Sequence, residues 1–147
     1  MPRDFKTIMC GMDFTEDSYQ ALAYALRLAQ LADGTLIVVH SVDVPSGDVY
    51  TTAEWPRTFD EARAHAKEML AEIHAQRLES YAKTELVVAV GPPAKQLIDL
   101  AAARKVDVLV TATHERSEFA DLIMGSVAEK LIRYAPCPVF VVRHGVA

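Results

Sequence analysis

The chain has 147 residues, enough for one domain with a sizeable core, and we treat residues 1–147 as a single domain. A hydrophobic fraction of 51% is typical of a globular protein, and a net charge of −5 excludes the basic surface that nucleic-acid binding needs. No apolar run approaches the roughly 20 residues that cross a bilayer, and no signal peptide opens the sequence. We therefore expect a cytoplasmic protein with no nucleic-acid partner and no membrane partner.

Strand-like and helix-like segments alternate along the first part of the chain. Residues 6–12 form a short apolar run that predicts the first strand. Thr15 is placed to cap a following helix, which ends at Asp33 and Gly34, where the glycine is expected to supply the left-handed cap. Residues 35–42 form a near-continuous β-branched run, which is typical of a parallel strand covered on both faces.

The middle of the chain begins with an irregular segment. Residues 43–57 contain proline, glycine and serine without a period and predict a long loop, and we expect residues 45–56 to be mobile. Residues 58–83 predict a long helix, and residues 85–90 predict a third strand. Gly91, Pro92 and Pro93 predict a turn in which a proline starts the next helix, because proline suits the first turn, and residues 95–104 continue that helix.

Two further apolar runs, residues 106–111 and 138–142, complete a set of five predicted strands. Strands that alternate with helices predict an α/β fold, a five-stranded parallel sheet with helices on both faces and a Rossmann-like architecture. In such sheets ligands bind at the carboxyl ends of the strands, where the strand order reverses. The first and fourth strands are the expected central pair, so Asp13 and residues 112–115 are expected to lie at the site.

The segment after the fourth strand has the pattern of a phosphate-binding loop. Ala112 and Glu115 are followed, after nine residues, by Gly125 and Ser126, where the chain re-enters a helix. A strand that ends in a polar loop and leads into a helix is where an α/β protein holds a phosphate.

The whole chain resembles the universal stress protein family. The resemblance rests on Met12, Asp13, Phe14 and Thr15 after the first strand and on GSVAEK at residues 125–130, which runs into APCPV at residues 135–139. It implies a universal stress protein architecture of five parallel strands, usually in a dimer. It also implies one of two branches, of which one binds ATP and the other lacks nucleotide.

The resemblance further implies where a nucleotide would bind. The ATP-binding branch carries G-x2-G-x9-G-S/T, and here the spacing is kept with Ala112 and Glu115 in place of the first two glycines. Adenine would contact Asp13 and the backbone near Ser41. The ribose and phosphates would lie against Thr113, His114, Glu115 and the amides of Gly125, Ser126 and Val127.

Glu115 is the departure with the largest physical consequence. A carboxylate ~5 Å from a phosphate charge costs about 1–3 kcal/mol, which is about one to two orders of magnitude in affinity. Glu118 and Asp121 add negative charge to the same loop, against one cation at Arg116, whereas Ala112 adds only a methyl group. We favour loss or weakening of ATP binding. Two alternatives stay open: that Glu115 points to solvent and the amide cradle survives, or that the acids bind Mg²⁺ with a nucleotide.

Three functional hypotheses follow. The first is a non-catalytic, dimeric stress-response regulator or protection domain that requires no cofactor and acts through an unknown protein partner. The second is an adenine-nucleotide-binding regulator with at most slow ATP hydrolysis. The third is a metabolic enzyme on a related fold, but the sequence shows no nucleophile elbow, no acid–base carboxylate pair and no zinc spacing. The homodimer is expected to form through the C-terminal strand, with Val139 and Val141 at its centre.

Several single residues carry a less specific signal. Cys10 and Cys137 are expected to be buried, unpaired thiols. His40 is expected to be a satisfied core histidine, which leaves His114 as the only histidine placed to touch a ligand. Asp13 has an alternative role in which its carboxylate caps or staples the loop before the first helix.

Overall fold

The computed structural model of the protein describes residues 4–43, 55–113 and 126–145, and for residues 55–59 it describes the backbone alone. The elements, in chain order, are β1 (Thr7–Gly11), α1 (Glu16–Ala32), β2 (Thr35–Val42), α2 (Trp55–Ile73, which continues as a π-helical turn His74–Leu78), β3 (Thr84–Val90), α3 (Pro93–Ala103), β4 (Val108–Ala112), α4 (Ser126–Tyr134) and β5 (Val139–Val142).

The five strands form one parallel sheet in the order β3-β2-β1-β4-β5. Two hydrophobic clusters lie on its two faces. One joins α1 and α2 to the sheet through residues such as Leu22 and Leu70, and the other joins α3 and α4 through Leu97 and Leu131. The structure therefore confirms the predicted five-stranded parallel α/β fold with helices on both faces.

Helix α2 begins earlier than the sequence predicted. Trp55 is helical, three residues before the predicted start, because a proline at position 56 fits the first turn of a helix, where its missing N–H has no partner to lose. The helical region ends at Leu78, and the chain then turns into β3. In this turn the Tyr81 hydroxyl lies within hydrogen-bond distance of the carbonyl oxygens of Ala29 and Gly34. The segment predicted to be mobile, residues 45–56, lies outside the described residues except for its last two, which are helical.

The two ends of α1 show one correct prediction and one wrong one. Thr15 caps the N-terminus as predicted, with its side chain accepting a hydrogen bond from the Ser18 amide at 3.3 Å. At the C-terminus the left-handed residue is Asp33 (φ 52°, ψ 43°) and not Gly34. Aspartate tolerates this conformation, and here its carboxylate binds Lys83 Nζ at 2.7 Å. Gly34 is required for space, since a Cβ atom there would lie 2.6 Å from the Lys6 carbonyl oxygen.

No helix in the described ranges is long and apolar enough to span a membrane.

The close approach at Gly34 gives a stability prediction. Gly34→Ala should lower the free energy of unfolding by about 1–3 kcal/mol, because the new methyl group meets backbone that β1 and β2 hold in place. Urea denaturation followed by circular dichroism measures this. Asp33→Asn is the matched control and should cost much less stability than Gly34→Ala, since asparagine also tolerates the left-handed region and the Lys83 ion pair is exposed. Equal losses in the two variants would contradict the account.

Candidate ligand cleft at the carboxyl edge of the sheet

The strand order reverses between β1 and β4. From β1 the chain crosses by α1 to β2 on one side, and β4 pairs with β1 on the other side. The helix that follows β1, α1, lies on one face of the sheet, and the helix that follows β4, α4, lies on the other. A crevice opens above such a point, and this is where open α/β sheets bind ligands.

A cleft lies at this crevice. It holds about 140 Å³ of space that the centre of a water molecule can occupy. Five of the predicted site residues line it, namely Asp13, Ser41, Ala112, Ser126 and Val127. Thr113, which was also predicted to lie against the ligand, does not line it, and its amide donates to the Val142 carbonyl at 3.0 Å. Of the other predicted site residues, His114, Glu115 and Gly125 lie outside the described ranges.

The Asp13 carboxylate has a structural partner as well as a place in the cleft. Its Oδ1 atom accepts hydrogen bonds from the backbone amide of Thr15, at 3.1 Å, and from the Thr15 hydroxyl. Thr15 in turn caps α1. The carboxylate therefore staples the turn before α1, as the alternative role required, while the residue remains exposed and lines the cleft.

Ser41 lies near the end of β2 and lines the cleft. Its hydroxyl donates to the Gly91 carbonyl at 2.7 Å, and Gly91 has a φ of 127°, which suits glycine. Because this bond uses the single proton of the hydroxyl, the Ser41 side chain can only accept a hydrogen bond from a ligand.

Helix α4 begins at the cleft. Ser126 and Val127 form its first turn, and Ala128 behind them is buried and also lines the cleft. The first amides of a helix lack intrahelical partners, and the helix dipole favours an anion beside them. This wall is therefore suited to one negatively charged group.

The lining offers little positive charge. Among the lining residues that the structure describes, Asp13 alone carries a formal charge at pH 7 when histidine is neutral, and none is lysine or arginine. Within the same described ranges, no group of three His, Cys, Asp or Glu side chains is arranged to hold a metal ion. A ligand with several negative charges therefore meets amides and an acid in this cleft. The described lysines Lys95 and Lys130 line an adjacent cleft that shares Ser126 and Val127 with it.

His40 is satisfied, as predicted, but it also lines the cleft. Its Nδ1 atom lies 2.7 Å from the Met12 carbonyl oxygen, and its ring centre lies 4.5 Å from that of Phe14. The prediction that His114 is the only histidine placed to touch a ligand is therefore wrong. The sequence signal that could have identified His40 is its position near the carboxyl end of β2, next to the predicted site residue Ser41.

The two cysteines differ in their surroundings. Cys10 is fully buried in β1, where burial, and to a smaller extent the negative charge of Asp13, raises the pKa of its thiol to about 12. Cys137 lies in the bend before β5 and is only half-buried, so the prediction of two buried thiols holds for Cys10 alone. Neither cysteine forms a disulfide within the described residues, as predicted.

A sheet with strand order 3-2-1-4-5 and a cleft over the reversal defines an α/β domain of Rossmann-like type. The sequence model of the universal stress protein family matches residues 4–143, so the chain belongs to the universal stress protein family.

Relatives of similar length support this assignment. A universal stress protein of Methanocaldococcus jannaschii is 26% identical over 140 residues, covering 95% of this chain and 82% of the relative. A universal stress protein of Thermus aquaticus is 29% identical over 139 residues, covering 95% of this chain and 99% of the relative.

Solved structures of universal stress proteins share the fold. UspA from Lactobacillus plantarum has a TM-score of 0.81 at 21% identity, covering 96% of this chain and 99% of that one. A universal stress protein solved in complex with cAMP has a TM-score of 0.73 at 24% identity, covering 95% and 98%. One from Archaeoglobus fulgidus in complex with dAMP has a TM-score of 0.60 at 21% identity, covering 95% and 98%.

The pKa of Cys10 gives a chemical test of this edge of the sheet. At pH 8 its thiol should stay protonated and shielded, so a disulfide reagent should modify at most one thiol per folded chain, that of Cys137. In 8 M urea two thiols should react, and Cys10→Ser should remove the one that urea exposes. Rapid reaction of both thiols in the folded protein would contradict the burial of Cys10 in β1.

Proposed function

We propose that this chain is a non-catalytic regulator whose cleft accepts an adenine nucleotide with few phosphates and holds ATP weakly. The observation that carries the proposal is the convergence of Asp13, Ser41, Ala112, Ser126 and Val127 on one cleft whose described lining contains no lysine or arginine. The non-catalytic role rests on the sequence, which presents none of the motifs expected of a catalytic site. The cytoplasmic location and the protein partner stay predictions.

The base of the nucleotide would lie between Asp13 and the backbone at Ser41. Asp13 is a hydrogen-bond acceptor and the adenine amino group is a donor, so their chemistry is complementary. Two of the solved universal stress proteins contain cAMP and dAMP, which are adenine nucleotides with a single phosphate. They support this chemical class of ligand for the cleft.

The phosphate end would lie at the first turn of α4, where the Ser126 and Val127 amides suit one anionic group. Glu115 follows Thr113 by two residues, which span at most about 7 Å of chain, and Thr113 directly follows the lining residue Ala112. Each further phosphate adds charge that this acid would repel by about 1–3 kcal/mol at ~5 Å. We therefore expect AMP to bind at least as tightly as ATP.

The second candidate is an ATP-binding regulator with at most slow hydrolysis. The beginning of α4 at the cleft, directly after Gly125 in the sequence, favours it. It requires that the Glu115 carboxylate avoid the phosphates.

Calorimetry at physiological salt with AMP and ATP separates the two candidates. The unaltered chain should bind ATP weakly, and Glu115→Gly should raise its affinity by about one to two orders of magnitude, because charge and bulk are removed together. Ala112→Gly alone should change the affinity little, since only a methyl group is lost, and the double variant should bind most tightly.

Two controls sharpen the result. Glu115→Gln removes the charge and keeps the bulk, while Glu68→Gln removes an exposed acid on α2, remote from the cleft. Micromolar ATP binding by the unaltered chain would favour the second candidate. Failure of every variant to bind any adenine nucleotide would overturn the proposal, because the first turn of α4 would then not be a phosphate site.

We also propose that the protein is a homodimer paired through β5. This strand is at the edge of the sheet, bonded to β4 on one side, and its Phe140 is 38% exposed. An apolar edge strand invites pairing with another strand, and a second copy supplies an identical one across a two-fold axis. The resemblance to the family implies a dimer as well.

Light scattering at micromolar concentration tests the dimer. The unaltered protein should have the mass of two chains, and lysine or aspartate at Val139 and Val141 should give monomer or aggregate. Since both valines are half-buried, Phe140→Lys is a gentler variant and should give a folded monomer. Leu31→Lys, at an exposed position on α1, is the control and should leave the dimer intact. A monomeric unaltered protein would overturn this proposal.

A further inference from the structure

The turn that carries Asp13 contains a strained residue. Phe14 has a φ of 63°, in the left-handed region, which is unusual for a residue with a large side chain. Such a conformation persists only where the surrounding structure holds it, and it is most often found at functional sites. Phe14 lies next to Asp13, so the contacts that hold it also bear on the cleft.

His40 reaches this turn from the neighbouring strand β2. Its Nδ1 atom lies 2.7 Å from the Met12 carbonyl oxygen. A carbonyl oxygen only accepts hydrogen bonds, so Nδ1 must carry a proton and donate it. Both the neutral form with its proton on Nδ1 and the charged form of the ring can make this bond, so the contact does not depend on the charge of His40.

The same imidazole also holds the other side of the turn. Its ring centre lies 4.5 Å from that of Phe14, with the two planes inclined at 42°. His40 therefore contacts the residues immediately before and after Asp13. The Met12 amide donates to the Val39 carbonyl at 2.8 Å, which extends the pairing of β1 with β2 by one residue. The contacts of His40 add a second link between β2 and the turn after β1.

We propose that His40 is a positioning residue, which fixes the strained turn at Phe14 so that Asp13 is presented to a ligand in the cleft. The ligand, an adenine nucleotide, rests on the proposed function, whereas the effect on the turn does not. Within this turn Asp13 Oδ1 accepts a hydrogen bond from the Thr15 amide, and Thr15 caps α1. A loosened turn would therefore displace both the Asp13 carboxylate and the cap of α1.

Three substitutions separate the two contacts of His40. His40→Asn keeps an N–H near the position of Nδ1 and loses the ring, His40→Phe keeps the ring and loses the donor, and His40→Leu loses both. AMP affinity should fall about three- to tenfold in each of the first two variants and about ten- to thirtyfold in the third. His65→Asn, at an exposed position on α2, is the control and should change affinity less than twofold.

A double-mutant cycle distinguishes positioning from general destabilisation. If His40 acts through Asp13, His40→Leu should cost almost no further affinity in a chain that already carries Asp13→Ala. An equal loss in both backgrounds, or no loss in the unaltered one, would overturn the inference.

Amide hydrogen exchange provides a readout that needs no ligand. The Thr15 amide donates a hydrogen bond to Asp13, and its hydrogen should exchange at least tenfold faster in His40→Leu than in the unaltered protein. The exchange rates of the β3 amides should stay unchanged. If the unaltered protein binds no adenine nucleotide, the proposed function fails and this exchange still tests whether His40 holds the turn. Unchanged exchange at Thr15 would overturn the positioning role, whatever binds in the cleft.

Discussion

The structure depends on the burial of β1 and its pairing with a strand on each side. Ile8, Met9 and Cys10 have no exposed surface, and the strand bonds in parallel to β2 and to β4. Side chains alternate between the two faces of a strand, so a fully buried strand requires cover on both faces. Helices α1 and α2 supply it on one face, and α3 and α4 supply it on the other. The cleft is a consequence of the same arrangement, because the helices that follow β1 and β4 lie on opposite faces of the sheet.

The walls of the cleft differ in their electrostatic character. The Asp13 carboxylate lies at the turn that His40 contacts, and the amides at the start of α4 also border the cleft. The connection between β4 and α4 joins the cleft at both of its ends, through Ala112 and Ser126. Substitutions within that connection can therefore change which ligand is favoured without altering the sheet. This explains how a universal stress protein can keep the fold of its family while Glu115 occupies a position where the ATP-binding branch has glycine.

Much of the fold was predictable from the sequence, because alternating strand and helix patterns and the start signals Thr15 and Pro93 depend on local chemistry. Two of the predictions that failed depended on contacts distant in sequence. Gly34 is required by its approach to Lys6, and His40 contacts residues 28 and 26 positions away, Met12 and Phe14. The candidate site was predictable as a place, since the carboxyl ends of β1 and β4 meet there, but the contacts of His40 with Met12 and Phe14 required the three-dimensional fold.

The central claim is that the cleft between the ends of β1 and β4 is the adenine-nucleotide site. A titration of the ¹⁵N-labelled protein with AMP, followed by two-dimensional NMR, tests it most directly because it locates a ligand even when binding is weak. The account predicts that the largest shift changes fall on the amides of Asp13, Ser41, Ala112, Ser126 and Val127, with small changes along α2. Shift changes confined to another surface, or no changes at millimolar AMP, would contradict it.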